Sequence, residues 1–383
     1  MKHTENKPHR NELGDILREH AADFLSGHTL CPVQLKAMQD IMGCRTAQMK
    51  GHLVQCDRCG YREQSYNSCR NRHCNKCQYI RQQVWADSLK GRLLPGKYFH
   101  LVFTVPDSLN PLFYLNQQEC YGLLFKVAWS ALKDLCANPR FLGAQTGAVA
   151  VLHTWSSTLV YHPHVHMLVP AGGLSEDGME WIRSKDGFLI PAKTLSKIYR
   201  ARFCDRLQKL IDNKTLKLPE GTNPKVLRES LFKKDWVVDV KKTGKAVDRA
   251  LEYLARYTNR VAISNQRIVN VANGQVTFRY KDAKTGYYNR EMTLTAVEFI
   301  RRFMQHILPP GFYKIRYFGI LASINSPGKK EQCLALTDKQ QYVSQLEGLN
   351  AYEAWCLISG NNPSLCKKCK TGRMKPTILN NSA

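Results

Sequence analysis

The chain contains no apolar run of about 18 residues, which a transmembrane helix would require. Its first residues, Met1 to Lys7, are polar and lack the apolar core of a secretory signal. It also has no internal repeat and no long low-complexity tract. We therefore expect a cytoplasmic protein that neither spans a membrane nor is exported.

Acidic residues are scarce. Asp and Glu number 31 against 56 Lys and Arg, which gives a net charge of +25. The excess is spread along the chain, and a hydrophobic content of 43% excludes wholesale disorder. A solvated basic surface is the simpler explanation, but an imbalance this large over a folded chain favours a nucleic-acid partner and, in a bacterium, association with the nucleoid.

The chain of 383 residues is long enough for two or three domains. We expect a helical segment at 1–43, a metal-binding module at 44–95, a larger domain at 96–325 and a tail at 326–383. Strands mixed with helices in the larger domain predict an α+β fold whose antiparallel sheet carries helices. The main elements predicted are a strand at 98–105, helices at 116–136 and 191–212, a hairpin at 147–154 and 159–169, a loop-rich connector at 213–234, a helix at 245–258 and a hairpin at 267–280.

Fourteen cysteines, several in Cys-x-x-Cys pairs, indicate metal thiolates in a reducing compartment. Cys56 and Cys59 form one pair, and Cys74 and Cys77 form another. Four thiolates match a tetrahedral structural zinc site, and the surrounding segment has too few aliphatic residues to fold without one. The spacing therefore predicts a small zinc-ribbon-like module held by these four residues.

A second set of ligands is interleaved with the first: Cys44, His52, Cys69 and His73. These residues could hold a second zinc, or the histidines could donate to phosphate. The pair Cys366 and Cys369 lacks an obvious partner pair, although Cys333 or Cys356 could complete a site. Among the basic residues of the module, Arg70 and Arg72 are candidates for binding DNA.

Three histidines, His162, His164 and His166, alternate in a strand-like run. Alternate residues of a strand share a face, so their rings would project together and could hold a divalent metal. His153 would lie across the hairpin, and we rank it ahead of His162 as the third ligand. His162 would then help to position a phosphate. The alternative is a set of buried structural histidines, each with a hydrogen-bond partner.

Tyr253 and Tyr257 stand one helical turn apart. Tyrosines at this spacing usually belong to a core, but these two lie in a basic setting suited to phosphate contacts. When a tyrosine attacks a phosphodiester, the energy of the broken phosphodiester bond is conserved in the phosphotyrosine link. A nearby metal would polarise the phosphate. The basic residues around the tyrosines are Lys245, Arg249, Arg256 and Arg260.

Several of these motifs resemble one family. His164-Val165-His166 is similar to the HUH motif (histidine, hydrophobic residue, histidine) of single-strand endonucleases. The string from Tyr253 to Ser264 resembles the nucleophile region of rolling-circle transposases of the insertion-sequence-91 type. The run Tyr66 to Cys74 resembles the zinc-binding domain of that family, and His153-Thr154-Trp155 resembles its segment before the HUH strand.

The resemblance implies an HUH endonuclease domain with an antiparallel sheet and a two-tyrosine nickase using Mg²⁺ or Mn²⁺. Such an enzyme would cut single-stranded element ends and target DNA through a 5′-phosphotyrosine and then transfer the strand. Whether both tyrosines react stays open. The chain lacks the GxxxxGK[ST] phosphate loop, so a host helicase or replication would have to supply the single strand.

Two other functions stay open at this point. A plasmid rolling-circle initiator or relaxase would use the same nicking chemistry for replication or transfer. A zinc-dependent DNA-binding regulator would use the histidine strand and the tyrosine helix only as structure.

Overall fold

The computed structural model describes residues 11–185, 187–243, 261–282, 285–287, 289–324, 328–337 and 340–377. Within these ranges helices combine with antiparallel sheets, which confirms the predicted α+β class. No helix in the described ranges is both long and apolar enough to cross a membrane.

The helices of the described chain vary from six to 21 residues. In chain order they are α1 Leu13–Gly27, α2 Pro32–Gly43, α3 Gln78–Arg92, α4 Asn110–Leu115, α5 Gln117–Ala137, α6 Ala192–Asp212, α7 Pro224–Lys233, α8 Ala296–Met304, α9 Gly328–Thr337 and α10 Ala351–Ser359. Helix α7 lies where we predicted a loop-rich connector. Asn223 caps it by accepting hydrogen bonds from the amides of Lys225 and Val226.

The strands form antiparallel sheets throughout the described residues. In chain order they are β1 Gly51–Cys56, β2 Arg62–Tyr66, β3 Tyr98–Thr104, β4 Gly147–Trp155, β5 Tyr161–Pro170, β6 Gly172–Leu174, β7 Trp181–Arg183, β8 Val238–Lys242, β9 Ile268–Ala272, β10 Gln275–Tyr280, β11 Arg290–Thr295, β12 Ile315–Gly319 and β13 Met374–Pro376. The largest sheet has five strands in the order β12-β4-β5-β3-β8.

One face of the five-stranded sheet is apolar and lies against α5 and α6. Val165 and Met167 of β5 are fully buried there, and Phe103 of β3 packs edge-on against Tyr199 of α6, with ring centroids 5.1 Å apart. Because side chains alternate along a strand, the residues between them point to the opposite face. That opposite face carries His164 and His166.

A second core joins the N-terminal helices to the sheet β9–β10–β11 and to α8. Leu13 and Ile16 of α1 are fully buried in one cluster with Phe278 of β10 and Phe299 of α8. Leu159, from the turn before β5, belongs to the same cluster. The N-terminal helices are therefore packed beside the histidine-bearing end of the central sheet.

The C-terminal tail folds back onto the metal-binding module. Asp87 of α3 accepts hydrogen bonds from the hydroxyl of Tyr342 at 2.6 Å and from the amide of Leu346 at 2.8 Å. Strand β13 then pairs with β1, so that the hairpin β1–β2 becomes a three-stranded sheet. This sheet thus combines residues 51–56 and 62–66 of the module with residues 374–376 of the tail.

Candidate metal centres

The histidine cluster lies where β4 and β5 pair. His153 stands directly opposite His164, and His166 is two residues further along β5 on the same face. The ring centroids of His153 and His166 are 4.6 Å apart, and those of His164 and His166 are 4.8 Å apart. One nitrogen from each of the three rings lies within 4.8 Å of the others. The strand register thus brings together His153, His164 and His166.

Burial keeps two of the three rings, those of His164 and His166, neutral and so able to bind a cation. Desolvation lowers the pKa of His164 to about 4 and that of His166 well below its ordinary value. Both rings therefore carry a free electron pair, rather than a second proton, at pH 7. Neutral imidazoles are common ligands of divalent first-row transition metals. Of the two ions expected from the sequence, Mn²⁺ therefore fits this donor set better than Mg²⁺.

Outer partners orient two of the rings. His164 Nδ1 lies 2.7 Å from the carbonyl oxygen of His162, to which it can donate a hydrogen bond. His166 Nδ1 lies 2.9 Å from Nε2 of His100, and both rings are almost fully buried. A ligand histidine whose Nδ1 is held in this way presents Nε2 to a metal.

His100 was predicted only as part of a strand and not as a site residue. It lies on β3, opposite Leu168 of β5, and so shares the face of the histidine cluster. Burial lowers the pKa of His100 to about 4, which leaves it neutral as well. In the sequence, the one sign of a role for His100 is that a polar residue stands in an aromatic and aliphatic strand. That its ring reaches His166 is evident only from the pairing of the strands.

His162 lies at the rim of this cluster rather than within it. Its ring centroid is 5.1 Å from that of His164, and its side chain is about one-third exposed (34%). Its Nδ1 is 3.5 Å from a carboxylate oxygen of Asp107. His162 is thus placed to contact a molecule that approaches the cluster from solvent.

A cysteine cluster forms between the end of α2 and the start of α3. The Sγ of Cys44 is 3.5 Å from that of Cys77 and 3.6 Å from that of Cys74, and the Sγ of Cys69 is 3.7 Å from that of Cys77. Hydrogen bonds among the four thiols lower the pKa of Cys44, to about 6, and that of Cys77, while they raise those of Cys69 and Cys74. Four converging thiols of this kind are typical of structural zinc.

The predicted grouping of Cys56 and Cys59 with Cys74 and Cys77 needs correction. Cys74 and Cys77 lie with Cys44 and Cys69, whereas the sulfurs of Cys56 and Cys59 lie with those of the tail. The reason is topological: Cys56 ends β1, and β13 of the tail pairs with that strand. The tail cysteines beside Cys56 and Cys59 are Cys366 and Cys369.

Neither histidine proposed for the second zinc joins a cysteine cluster. His52 is exposed on β1, opposite Ser65. His73 turns inward, where its Nε2 accepts a hydrogen bond from the amide of Leu308 at 3.3 Å. Burial lowers the pKa of His73 to about 3, so it is a neutral acceptor. Of that proposed set, Cys44 and Cys69 do join a cluster, the one that contains Cys74 and Cys77. Cys333 and Cys356, considered as partners for the tail pair, are outside both clusters.

The two arginines proposed for DNA binding differ in their surroundings. Arg70 is exposed and has a positive φ of 54°. Arg72 is half-buried, and its guanidinium donates to the carbonyl oxygen of Phe312 at 2.9 Å. Arg72 therefore helps to hold the module against the central domain, while Arg70 faces solvent.

The tyrosines and their basic neighbours lie outside the described residues. They are Tyr253, Tyr257, Lys245, Arg249, Arg256 and Arg260. On one side of that interval, the amide of Thr243 donates to the carbonyl oxygen of Tyr98 at 3.0 Å, next to the β3–β8 pairing. On the other side, Ile263 is buried in the cluster that contains Leu159, just before β5.

Comparison with known proteins gives consistent matches over most of the chain. Residues 147–330 match a family model described as "Putative transposase", and residues 16–105 match one described as "Transposase zinc-binding domain". A protein of Sinorhizobium fredii named "Putative transposase y4qJ" is 38% identical over 376 residues, which cover 95% of this chain and 94% of that protein. The "Transposase for insertion sequence element IS801" of Pseudomonas savastanoi pv. phaseolicola is 30% identical over 319 residues, which cover 79% and 73% of the two chains. No solved structure matches.

These matches, together with the cysteine clusters, define a transposase that carries a zinc-binding domain. The chain belongs to the insertion-sequence-91 family of transposases. The predicted resemblance is thereby confirmed, and the α+β domain with its histidine-bearing sheet is the fold on which this transposase is built.

Proposed function

We propose that this transposase nicks single-stranded DNA at its element ends and target and joins the strands through a covalent 5′-phosphotyrosine, in the manner of rolling-circle transposition. The observation that carries the proposal is the convergence of His153, His164 and His166 on one face of the central sheet. Membership of the transposase family and the net charge of +25 support a DNA substrate.

His153, His164 and His166 would hold a single Mg²⁺ or Mn²⁺ ion. When bound, this ion would act as a Lewis acid on the scissile phosphate. The protein's own part is to fix the rings, since the carbonyl oxygen of His162 and the ring of His100 hold the Nδ1 atoms of His164 and His166. The cluster is therefore organised before DNA arrives, which lowers the cost of reaching the reactive geometry.

Tyr253 and Tyr257 are the proposed nucleophiles. The phenolic oxygen attacks phosphorus and loses its proton, the bond from phosphorus to the 3′ oxygen breaks, and the released 3′ oxygen takes up a proton to become a hydroxyl. In the joining step, a 3′ hydroxyl attacks the phosphotyrosine and the phenol is regenerated. Two tyrosines would allow one linkage at the donor and one at the target, with Tyr257 at least as important as Tyr253.

Basic and rim residues would bind the phosphates on either side of the cut. Lys245, Arg249, Arg256 and Arg260 surround the tyrosines in the sequence. His162, at the rim and within 3.5 Å of Asp107, would contact a phosphate next to the scissile one. Contacts of this kind set the register of the strand without reading its bases.

The module before the central domain would be a zinc-dependent DNA-binding module. Cys44, Cys69, Cys74 and Cys77 would hold its zinc, and the exposed Arg70 would contact phosphate. Because the chain contains no phosphate loop for nucleotide-driven unwinding, we propose that a host helicase or replication supplies the single strand.

A covalent-adduct assay tests the proposal. The full-length protein is incubated with labelled single-stranded oligonucleotides from the flanks of its gene, with and without Mn²⁺, and then denatured. We expect a metal-dependent adduct that is lost in His164→Ala and in the double variant Tyr253→Phe, Tyr257→Phe. Tyr287→Phe, at an exposed tyrosine of another loop, is the matched control and should leave the adduct unchanged.

Mass spectrometry after digestion would identify which tyrosine holds the DNA. Nicking and rejoining without transfer into a second DNA would favour a replication initiator or relaxase. If no flank forms an adduct although the protein binds DNA, the nickase is excluded and a DNA-binding regulator is supported.

A further inference from the structure

We propose that Cys56, Cys59, Cys366 and Cys369 form a second zinc site, which clasps the C-terminal tail to the zinc-binding module. Cys366 and Cys369 lie outside both regions matched by the family models, 16–105 and 147–330. The proposal does not depend on the tyrosine chemistry, because it concerns only the described sulfur atoms and the strands that carry them.

The sulfur spacing matches a tetrahedral zinc ion. The Sγ atoms of Cys56 and Cys369 are 3.7 Å apart, and so are those of Cys59 and Cys366. Zinc–sulfur bonds of about 2.3 Å in a tetrahedron place neighbouring sulfurs about 3.8 Å apart. A disulfide would require a separation of about 2.05 Å, so these pairs are not oxidised cross-links. All four ligand atoms lie within 4.8 Å of one another.

Backbone amides point to sulfur atoms in both Cys-x-x-Cys turns. The amides of Arg58 and Cys59 point to the sulfur of Cys56, each at 3.4 Å. In the tail, the amide of Lys368 points to Cys366 at 3.4 Å, and that of Gly372 points to Cys369 at 3.2 Å. Amide donors directed at sulfur stabilise its thiolate form, which is the form that binds metal.

The backbone brings the two turns together through a strand. Cys56 of β1 pairs with Met374 of β13, and the carbonyl oxygen of Arg373 accepts the amide hydrogen of Asp57 at 3.0 Å. Gly372 passes so close that a Cβ atom on it would lie 2.3 Å from the sulfur of Cys56. Only glycine therefore lets the tail approach the first turn at this distance.

The site would join residues more than 300 positions apart in the sequence, since Cys59 and Cys366 are separated by 307 residues. The tail has an independent anchor at Asp87 of α3, which binds the backbone around Leu346. Loss of the second zinc should therefore release only the segment after α10, while residues 340–350 stay on α3. This local effect separates a clasp from a site needed for overall folding.

Zinc content and a thiolate-specific signal test the site in the full-length protein. Zinc per chain is measured by mass spectrometry, and Co²⁺ is substituted so that its sulfur charge-transfer absorption reports thiolate ligands but not the histidine cluster. In Cys366→Ser, Cys369→Ser we expect one zinc fewer per chain and about half the thiolate absorption. Cys356→Ser, a half-buried cysteine outside both clusters, is the matched control and should change neither.

Thiol labelling of the unmodified protein covers the case in which a variant fails to fold. Cys366 and Cys369 should be alkylated, together with Cys56 and Cys59, only after a chelator removes zinc, while Cys356 reacts in both conditions. Limited proteolysis should then cut the tail after α10. If the zinc content and thiolate absorption of the double variant equal those of the wild type, or if Cys366 and Cys369 react at one rate with and without zinc, the clasp does not exist.

Discussion

Replacement of His100 by leucine is the sharpest test of how the histidine cluster is organised. His100 accepts the Nδ1 hydrogen of His166 when His166 binds a metal through Nε2, and the two atoms are 2.9 Å apart. Leucine fills a similar volume but accepts no hydrogen bond. His166 Nδ1 would then be buried without this acceptor, at 5% exposure of the residue.

The structure sets the size of the expected effect. A buried donor that loses its acceptor costs about 1–3 kcal/mol. At about 1.4 kcal/mol for each factor of ten, this corresponds to a roughly 5- to 150-fold lower affinity for the cation. Loss of an outer partner of a metal-binding histidine typically weakens binding by about 10- to 100-fold. The two estimates overlap, so we expect a change of about 10- to 100-fold for His100→Leu.

The assay is a Mn²⁺ titration of the covalent adduct. His100→Leu should raise the Mn²⁺ concentration at half-maximal adduct by that factor, while saturating metal restores most of the product. His100→Gln, whose side-chain oxygen can accept the same hydrogen, should recover part of the loss. His166→Ala should lose the adduct at every metal concentration. An unchanged half-maximal concentration in His100→Leu, with a normal thermal melting curve, would refute the proposed positioning role.

Further predictions concern stability and DNA affinity. A hydrogen bond from Arg301 lowers the pKa of Glu298 from 4.5 to about 2. The ionised Glu298 therefore stabilises the fold above pH 4.5, and this stabilisation is lost as the pH falls towards 2. The melting temperatures of the wild type and of Glu298→Gln should differ at pH 7 and converge between pH 4.5 and 2. Leu124→Ala, in the fully buried face of α5, should lower the free energy of unfolding by about 2–5 kcal/mol in urea titrations, and a loss under 1 kcal/mol would contradict the packing described. Affinity for single-stranded DNA should fall linearly with the logarithm of salt concentration, and a flat plot would exclude phosphate neutralisation as the main source of binding.

The histidine cluster was accessible from the sequence because it depends on local geometry. The two-residue repeat of a strand places His164 and His166 on one face whatever the rest of the fold does. The hairpin turn is short, so the position of His153 across from them also followed from neighbouring residues. His100 comes from a strand far away in the sequence, and its pairing with β5 is a tertiary choice that no local pattern records.

The cysteine groups show where the spacing of residues ceases to be informative. Cys56, Cys59, Cys74 and Cys77 have the spacing of a single zinc ribbon, and each pair is indeed one half of a four-sulfur cluster. The other halves are supplied by α2 and the following loop in one case and by β13 in the other. Since a Cys-x-x-Cys turn has the same local form with any partner pair, the pairing is decided by strand addition and helix packing.

The two faces of the central sheet explain why the site can be rigid without being closed. The face towards α5 and α6 is an apolar core, which fixes β3, β4 and β5 relative to one another. On the opposite face, Val151 and Leu168 pack beneath α3, while Trp155 lies against the N-terminal core and stacks on His153 with centroids 4.8 Å apart. The rings of the histidine cluster therefore sit between two packed regions, and strand pairing rather than loop conformation sets their spacing. Because strand pairing fixes the spacing of the rings, the proposed cleavage and joining would take place at a centre whose geometry is set before DNA binds.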